Sequence, residues 1–555
     1  MIDSKQKLYE RWSALVAERS TWTDHWKDIS DYLLPRQGRF FVSDRNKGTK
    51  RHNNIYDNTG TKALRTLGAG MMAGATSPAR QWFKLSTSDS DLNKFEPVKM
   101  WLSDVTKIMQ SVFRKSNAYR SFHTMYEEKG AFGTSAALIL PDFNNVIHFH
   151  TMTAGEYCIT TDHKGKVNTL YRRLDKRVST LVSEFGYKNC SKTVQNLFDK
   201  GSLDNWITVI HAVEPRKDRD YRSKLASNMA WKSCYFEEHS RDDKLLKVSG
   251  FKESPIIGPR WAVYGGDIYG TSPAMDALGD VKQLQHEQLR KAQAIDYQTK
   301  PPLQVPASMK NSDVDQLPGG ITYYDGSMGS QSIKSAFDVK LDLSYLLNDI
   351  QDVRGRVNSA FYADLFLLLA NATDTRMTAT EVAERHEEKL LMLGPVVERL
   401  HNEMLDPIIS ATFATMVKAG LVPPPPPDLQ GKELSVEFVS MLAQAQKAVM
   451  TNSVDRYVAS MGSIAALKPG VLDNLDEDKW ADVYADMLGV DPTLIIPDDK
   501  VALVRQQRAQ AEQQQAQAEQ MKGESETVKN LAGAQTAEPS ALTNVIDMFS
   551  GYNTP

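Results

Sequence analysis

The sequence predicts a helix-rich α+β protein, and three observations carry that reading. Long stretches place apolar residues three or four apart, as amphipathic helices do; a middle stretch breaks into short β-prone runs bounded by Gly, Asn and Asp; and two of the strongest helical stretches bracket a small insert rich in Pro and Gly. At 555 residues the chain has room for about three or four domains of roughly 150 residues each.

Residues 4–34 form the first predicted helix, with Leu8, Trp12, Leu15, Trp22, Trp26, Ile29 and Leu33 on one stripe and Pro35 as its stop. A polar, basic loop follows over 36–54. A second helix starts near Asp57 and runs through Leu64, Leu67 and Met71 to Pro78, and its Gly68, Gly70 and Gly74 predict close contact with another helix. Helices are expected around 98–113 and 119–132, then strands at 136–140, 146–150, 157–160, 167–173 and 206–212. After Gly270-Thr271-Ser272-Pro273 the spacing of Leu278, Val281, Leu284, Leu289 and Ile295 predicts a helix over 275–299, ended by Pro301-Pro302. About forty residues with Pro306, Pro318, Gly319-Gly320 and Ile321-Thr322-Tyr323-Tyr324 read as a hairpin-like insert. A returning helix over 343–369 carries Leu346, Ile350, Val353, Val357, Phe361, Leu365 and Leu368, which at 1.5 Å per residue makes it roughly 40 Å long. Helix, insert and returning helix together predict a stalk with a tip.

A short polar segment then leads to Thr378-Ala379-Thr380-Glu381, which has the pattern of a capping box at the start of a helix running to Val417. Gly394-Pro395 inside that helix predicts a kink, because proline removes one hydrogen bond and crowds the preceding turn. Pro423 to Pro427 form a stiff spacer, 434–439 reads as a strand, and 441–461 and 478–488 as helices. Residues 505–522 favour an exposed helix without an apolar stripe, and 523–555 a disordered tail.

The composition excludes several classes. With 41% hydrophobic and 24% charged residues the chain buries a large core. Its three cysteines show no paired spacing, which predicts a reducing compartment, no disulfides and no thiolate zinc site. No run of about 18 uncharged apolar residues is present, so the sequence predicts a soluble protein with no membrane partner. A net charge of -3 argues against a surface that grips nucleic acid throughout, while leaving room for one DNA-facing lining. Gly48-Thr49-Lys50 and Gly60-Thr61-Lys62 lack the order of a phosphate-binding loop, and no GxSxG, HExxH or Cys-His nucleophile pattern occurs. His148-Phe149-His150 would place two imidazoles on one strand face without a third ligand at a known spacing. Glu384, Arg385, Glu387, Glu388 and Lys389 read as a solvated helix face or as interface ion pairs. The reading is of a protein with no catalytic residues, no cofactor and no metal.

The order of several segments resembles the portal, or head-to-tail connector, proteins of short-tailed double-stranded DNA bacteriophages. The resemblance rests on Arg11-Trp12, Trp26-Lys27-Asp28-Ile29 and Leu34-Pro35; on Tyr56-Asp57-Asn58-Thr59, Gly74-Ala75-Thr76-Ser77-Pro78 and Trp82-Phe83-Lys84-Leu85; and on Ala154-Gly155-Glu156-Tyr157. It continues through Tyr269-Gly270-Thr271-Ser272-Pro273, Asp280 and Pro301-Pro302 to Met377-Thr378-Ala379-Thr380-Glu381-Val382, Arg385, Gly394-Pro395, Arg399-Leu400 and Glu403-Met404-Leu405-Asp406-Pro407. No single motif is specific; the ordered set over residues 5–420 is.

The resemblance implies a ring of identical subunits, usually twelve, with wing, stem, clip and crown regions around a DNA channel. Mapped onto this chain, the wing is 1–274, the first stem helix 275–299, the clip 300–340, the second stem helix 341–369 and the channel loop 370–377. The kinked wing helix and its return span 378–460, the crown helices 461–522 and the tail 523–555. Asn371, Thr373, Asp374 and Arg376 would then line the channel loop, with Lys300 and Lys310 as cations near the DNA path. Leu346, Ile350, Val353, Val357 and Phe361 would pack the stem, and Gly394 and Pro395 kink the wing helix. Implied partners are double-stranded DNA, a terminase packaging motor, a tail adaptor, and scaffolding and major capsid proteins, at one vertex of a virion assembled in a bacterial cytoplasm. A DNA-packaging or processing enzyme and a non-viral helical adaptor remain the alternatives.

Overall fold

Ser4 caps the first helix, its hydroxyl accepting from the Lys7 amide at 3.4 Å, and the helix runs on as α1, Lys5–Tyr32. The computed structural model describes residues 4–40, 54–89, 92–93, 95–220, 222–223, 225–299, 303–304, 334–335, 343–371, 393–440, 457–464, 468, 470, 476, 479–481, 484, 501–515 and 517. The chain divides into two compact units, Met1–Leu472 and Asp473–Pro555. In the second, residues 501–515 are helical and almost wholly exposed, and Trp480 stacks on Tyr484.

The stripe of α1 serves two cores. Leu8, Trp12 and Leu15 pack with Cys158, Tyr171, Ile210, Cys234 and Phe236, whereas Trp26 and Ile29 enter the main core. α2 (Thr59–Ala75) lies in that main core, and its glycines are there for contact: a Cβ on Gly68 would come within 2.7 Å of Glu127, and one on Gly70 would overlap the ring of Phe366. Next come β1 (Phe83–Thr87), α3 (Glu96–Lys115) and α4 (Ala118–Phe132), the last ended by Gly133 at φ 73°. β2 (Ala136–Asp142) pairs antiparallel with β3 (Val146–Met152), and later with β9 (Ile256–Ile257), in a three-stranded sheet.

The second sheet is an antiparallel meander of β4 (Tyr157–Thr161), β5 (Val167–Arg177), β6 (Trp206–Pro215), β7 (Trp231–Glu237) and β8 (Lys247–Phe251). Between β5 and β6 the chain leaves the sheet as α5 (Val178–Phe185) and α6 (Lys192–Asp199), which cover their own small core of Leu181, Phe185, Cys190 and Val194. All three cysteines are buried free thiols.

α7 spans Pro273–Thr299 and ends just before the insert. Of the insert, 303–304 and 334–335 are described: β10 (Leu303–Gln304) pairs antiparallel with β11 (Lys334–Ser335). The return differs from the single helix expected over 343–369. α8 (Ser344–Ala360) stops at Phe361, Tyr362 takes φ 53°, and α9 (Ala363–Asn371) sets off anew. The turn swings Leu365 and Phe366 into the core, with Phe366 against Gly70 of α2, so packing overrides a stripe that runs through unbroken. Residues 393–400 form α10, His401–Leu405 a π-helical turn, and Asp406–Lys418 α11. β12 (Leu434–Phe438) then returns to pair with β1, Phe83 opposite Phe438.

The end of α4 crosses the start of α7 at backbone distance. The Gly133 amide is spent within α4, while its carbonyl accepts from the Trp261 amide at 2.8 Å. Ser272 Oγ donates to the Ala131 carbonyl at 2.7 Å, Trp26 Nε1 to the Phe132 carbonyl at 3.1 Å, and the Gly270 amide to Thr134 Oγ1 at 2.8 Å. A Cβ on Gly270 would overlap the Gly133 carbonyl and come within 2.9 Å of the Ala262 carbonyl. Gly270→Ala is therefore expected to cost roughly 2–3 kcal/mol in urea unfolding, while Gly266→Ala, whose Cβ would meet nothing within 4 Å, stays within about 0.5 kcal/mol.

Candidate functional site

The candidate site is the α7–α8 pair and the two buried charge clusters around it. Along the seam Ala277, Leu278, Val281 and Leu284 of α7 share one core with Ile350, Val353, Val357 and Phe361, and Leu346 packs at its edge. Ile350, Val353, Val357 and Phe361 are at most 2% exposed within the single chain, so a substitution at Val357 disturbs the chain's own core before any contact between chains. Burying side chains of this size stabilises by roughly 1.5–3 kcal/mol each. Asp280 meets Arg356 at 3.1 Å, and Glu287 of α7 lies beside Asp349 of α8. Burial, with the hydrogen bond to Asp349 and that residue's charge, raises the Glu287 pKa, which favours a proton there.

Asp57, just before α2, ties the pair to the N-terminal helices. Its Oδ2 accepts from Arg354 Nη2 at 2.7 Å and Gln288 Nε2 at 3.0 Å, and its Oδ1 from the Thr59 amide at 2.8 Å. Gln285 completes the joint: its Oε1 takes the Tyr56 and Asp57 amides and its Nε2 donates to the Asp57 carbonyl. Burial pushes the Asp57 carboxyl up, but the hydrogen bonds from Thr59 and Arg354 and the Arg354 charge outweigh it and hold the pKa below the usual aspartate value. Nearby, Lys282 of α7 reaches Asp28 of α1 at 2.7 Å.

The second cluster joins α4 to the π turn. Glu403 Oε1 accepts from Arg260 Nη2 at 2.7 Å and Arg399 Nη1 at 3.1 Å, while Oε2 takes the Arg260 amide at 2.9 Å. Lys129, 1% exposed, finds that carboxylate already occupied; its ammonium lies 5.4 Å from the Trp261 ring centre without a hydrogen-bond partner. Burial pushes the Lys129 pKa down to about 7 despite Glu403. His401 stacks on Phe438 at 3.9 Å and is held down to about 4 by burial and by Lys129. Pro407, lacking an amide hydrogen, follows this turn, and the Asp406 amide bonds back to the His401 carbonyl in π register. On the far side of α4, burial lifts Glu128 to about 8 against hydrogen bonds from Thr153 Oγ1 and the Ala154 amide.

Asn371 is the last residue of α9; Thr373, Asp374, Arg376, Lys300 and Lys310 lie outside the described residues, as do the Thr378–Glu381 cap, the Glu384–Lys389 face and the tail. Gly394 and Pro395 fall in the first described turn of α10, with the π turn following at His401–Leu405. His148 and His150 do face each other on β3, ring centres 4.8 Å apart. Burial and the neighbouring Arg172 and His148 push His150 down to about 4, and among the described residues no three metal-ligating side chains come together. Among the described residues, no helix is long and apolar enough to cross a membrane. Sequence reasoning missed the pairing of Asp57 with Arg354 and of Arg260 with Glu403. Asp57, Arg399 and Glu403 stood inside matched segments, but no local spacing discloses partners more than a hundred residues away.

Residues 5–496 match the family described as bacteriophage head to tail connecting protein, and the chain belongs to that family. It is 58% identical over 548 residues to a probable portal protein of Bordetella phage BPP-1, covering 99% of each chain. It is 43% identical over 542 residues to the portal protein of Salmonella phage epsilon15, covering 98% of each. Among solved structures, a neck of an empty gene transfer agent particle aligns at 11% identity and a TM-score of 0.31, over 78% of this chain and 94% of that one.

The depressed Asp57 carboxyl sets a pH dependence. A carboxyl with a lowered folded pKa contributes stability above its unfolded value near 3.8, and that contribution is lost as pH falls through the folded value. Asp57→Asn should lower stability at pH 7 by about 2–3 kcal/mol. Its thermal midpoint should also fall less steeply than the wild type's below about pH 4; parallel acid profiles would disprove the linkage.

Proposed function

We propose that this chain is the portal subunit of a phage head: copies form a ring at one capsid vertex, through which double-stranded DNA is packaged and ejected and on which motor and tail dock. The observation that carries the reading is the family match over residues 5–496, joined to a helix pair that brackets a small insert with a β-paired base. The ring has twelve subunits, with wing, stem, clip and crown regions at the boundaries the resemblance implies. Its partners are a terminase motor at the clip, a tail adaptor at the same surface after packaging, and scaffolding and major capsid proteins around the wing. Assembly takes place in the bacterial cytoplasm. The chain acts as a conduit rather than an enzyme.

The physics of sliding fits the charge. Each phosphate neutralised adds salt-dependent affinity and hence drag, so a conduit holds few phosphates at a time, as a net charge of -3 permits. The few cations in reach of DNA are then Arg376 in the loop with Asn371, Thr373 and Asp374, and Lys300 and Lys310 in the insert.

Negative-stain electron microscopy of the purified protein, with mass measurement of the same sample, should show rings with a central hole. A species that stays monomeric at high concentration would return the adaptor alternative, and nucleotide hydrolysis by the pure protein the enzyme one. In complemented phage, Arg376→Ala should reduce DNA packaging or retention; unchanged yields and full heads would remove Arg376 from the DNA path.

A further inference from the structure

Arg172 carries a buried charge with no carboxylate to answer it. The register of the five-stranded sheet sets Arg172 of β5, His211 of β6, Tyr235 of β7 and Lys247 of β8 side by side in one row, so their side chains rise from the same face. Lys176, four residues further along β5, rises with them. Arg172 is 6% exposed, and a guanidinium stays protonated even where it is buried. Its partners are neutral. Nε donates to His211 Nδ1 at 3.0 Å, which leaves the imidazole proton on Nε2 to meet Ser233 Oγ at 2.9 Å. Tyr235, which also hydrogen-bonds Arg172, stacks flat on the His211 ring at 3.9 Å. Among the described residues no ion pair joins Arg172 to a carboxylate; Glu156 feels the charge from further off.

The surroundings add positive charge instead of cancelling it. His148 and His150 share one face of β3, and the charged groups acting on His150 are Arg172 and Lys176 of β5, His148 beside it and Glu184 of α5. Those acting on His211 are Arg172, His150, Lys176 and Lys247. Glu184 is the one acid among these groups, and Lys176 already engages it. The same surplus that denies a metal cation to the histidine pair invites an anion, and the outer edge of His150 reaches solvent.

We propose that His148, His150, Arg172 and Lys176 form a site for a tetrahedral oxyanion of the phosphate class. Donors brought together from two sheets suit four oxygens at tetrahedral angles better than the two coplanar oxygens of a carboxylate. Neither the ring nor the channel enters the inference. Burial and the surrounding cations hold the His150 pKa down to about 4. A dianion beside the ring raises that value, so binding takes up a proton. Affinity is then flat at alkaline pH, rises as pH falls through the raised value and levels off below about 4.

Sulfate is the probe, because it stays doubly charged across this range and any proton taken up is the protein's. Calorimetric titration of the full chain should show one sulfate per chain, bound about tenfold more tightly at pH 5.5 than at pH 7.5, with a heat that varies with the ionisation enthalpy of the buffer. Affinity that does not change between these pH values, a measurement on the wild type alone, would overturn the proposal. His148→Gln/His150→Gln should remove the rise while keeping the thermal midpoint in chloride within a few degrees of wild type. At equal concentration sulfate should raise the wild-type midpoint more than the variant's, a difference that subtracts the general stabilisation by an excluded anion. A variant that binds sulfate as the wild type does would also overturn the site. Inorganic phosphate and a short DNA duplex, each competing with sulfate, separate the sources. Displacement by the duplex assigns the oxyanion to a nucleic-acid backbone, displacement by inorganic phosphate alone assigns it to the free ion, and displacement by neither overturns the phosphate assignment.

Discussion

The backbone crossing of Gly133 and Gly270 is the constraint on which the rest of the chain is hung. A helix end leaves carbonyls that need donors, and at the end of α4 those donors come from segments far apart in sequence. Trp26 of α1, Trp261, and Ser272 at the start of α7 donate to the carbonyls of residues 131–133, and Tyr157 of β4 donates to the Thr134 carbonyl. A Cβ on either glycine would overlap the other's backbone, so the two chains can meet this closely only without one, and the meeting holds the segment just before α7 against the end of α4. The crossing therefore anchors the start of α7 in the main core, to which the seam between the paired helices adds its burial.

Charge buried at the joints does a different task. Asp57 is satisfied by Arg354, Gln288 and Thr59, and Glu403 by Arg260 and Arg399, so each carboxylate has the full shell that makes a buried ion tolerable. Such joints define a unique arrangement more than they add stability, since a helix displaced by one turn would leave an ion without its partners. Lys129 is the exception. It is buried beside a carboxylate that has no lone pair to spare, and burial lowers its pKa accordingly. Its place beside a π-helical turn puts the least satisfied ion of this joint at the least regular turn of the neighbouring helix.

What could be read from the sequence follows the range of the interactions. α1 and α7 were legible because an apolar stripe ended by proline is local information, and β2 to β6 because their ends carry turn residues. The break at Tyr362 was not, since Val357, Phe361 and Leu365 keep helical spacing across it, while the seat that Phe366 takes after it is against Gly70, nearly three hundred residues earlier. β7 and β8 went unseen because their role depends on β6 beside them. Tyr56-Asp57-Asn58-Thr59, Tyr269-Gly270-Thr271-Ser272-Pro273 and Arg399 with Glu403 were legible as segments and opaque as mechanism. In the fold each proves to hold a joint between distant parts of the chain.

The paired helices keep two requirements on separate faces. Ile350, Val353, Val357 and Phe361 are covered by the chain itself, so the subunit has its core without a neighbour. Had that stripe been the contact between copies, an unassembled subunit would expose four large apolar side chains and aggregate before a ring could close. The outward sides of the two helices instead carry mostly charged and polar residues, a surface that water tolerates. Folding can then precede assembly, because nothing in this seam waits for a second copy to bury it.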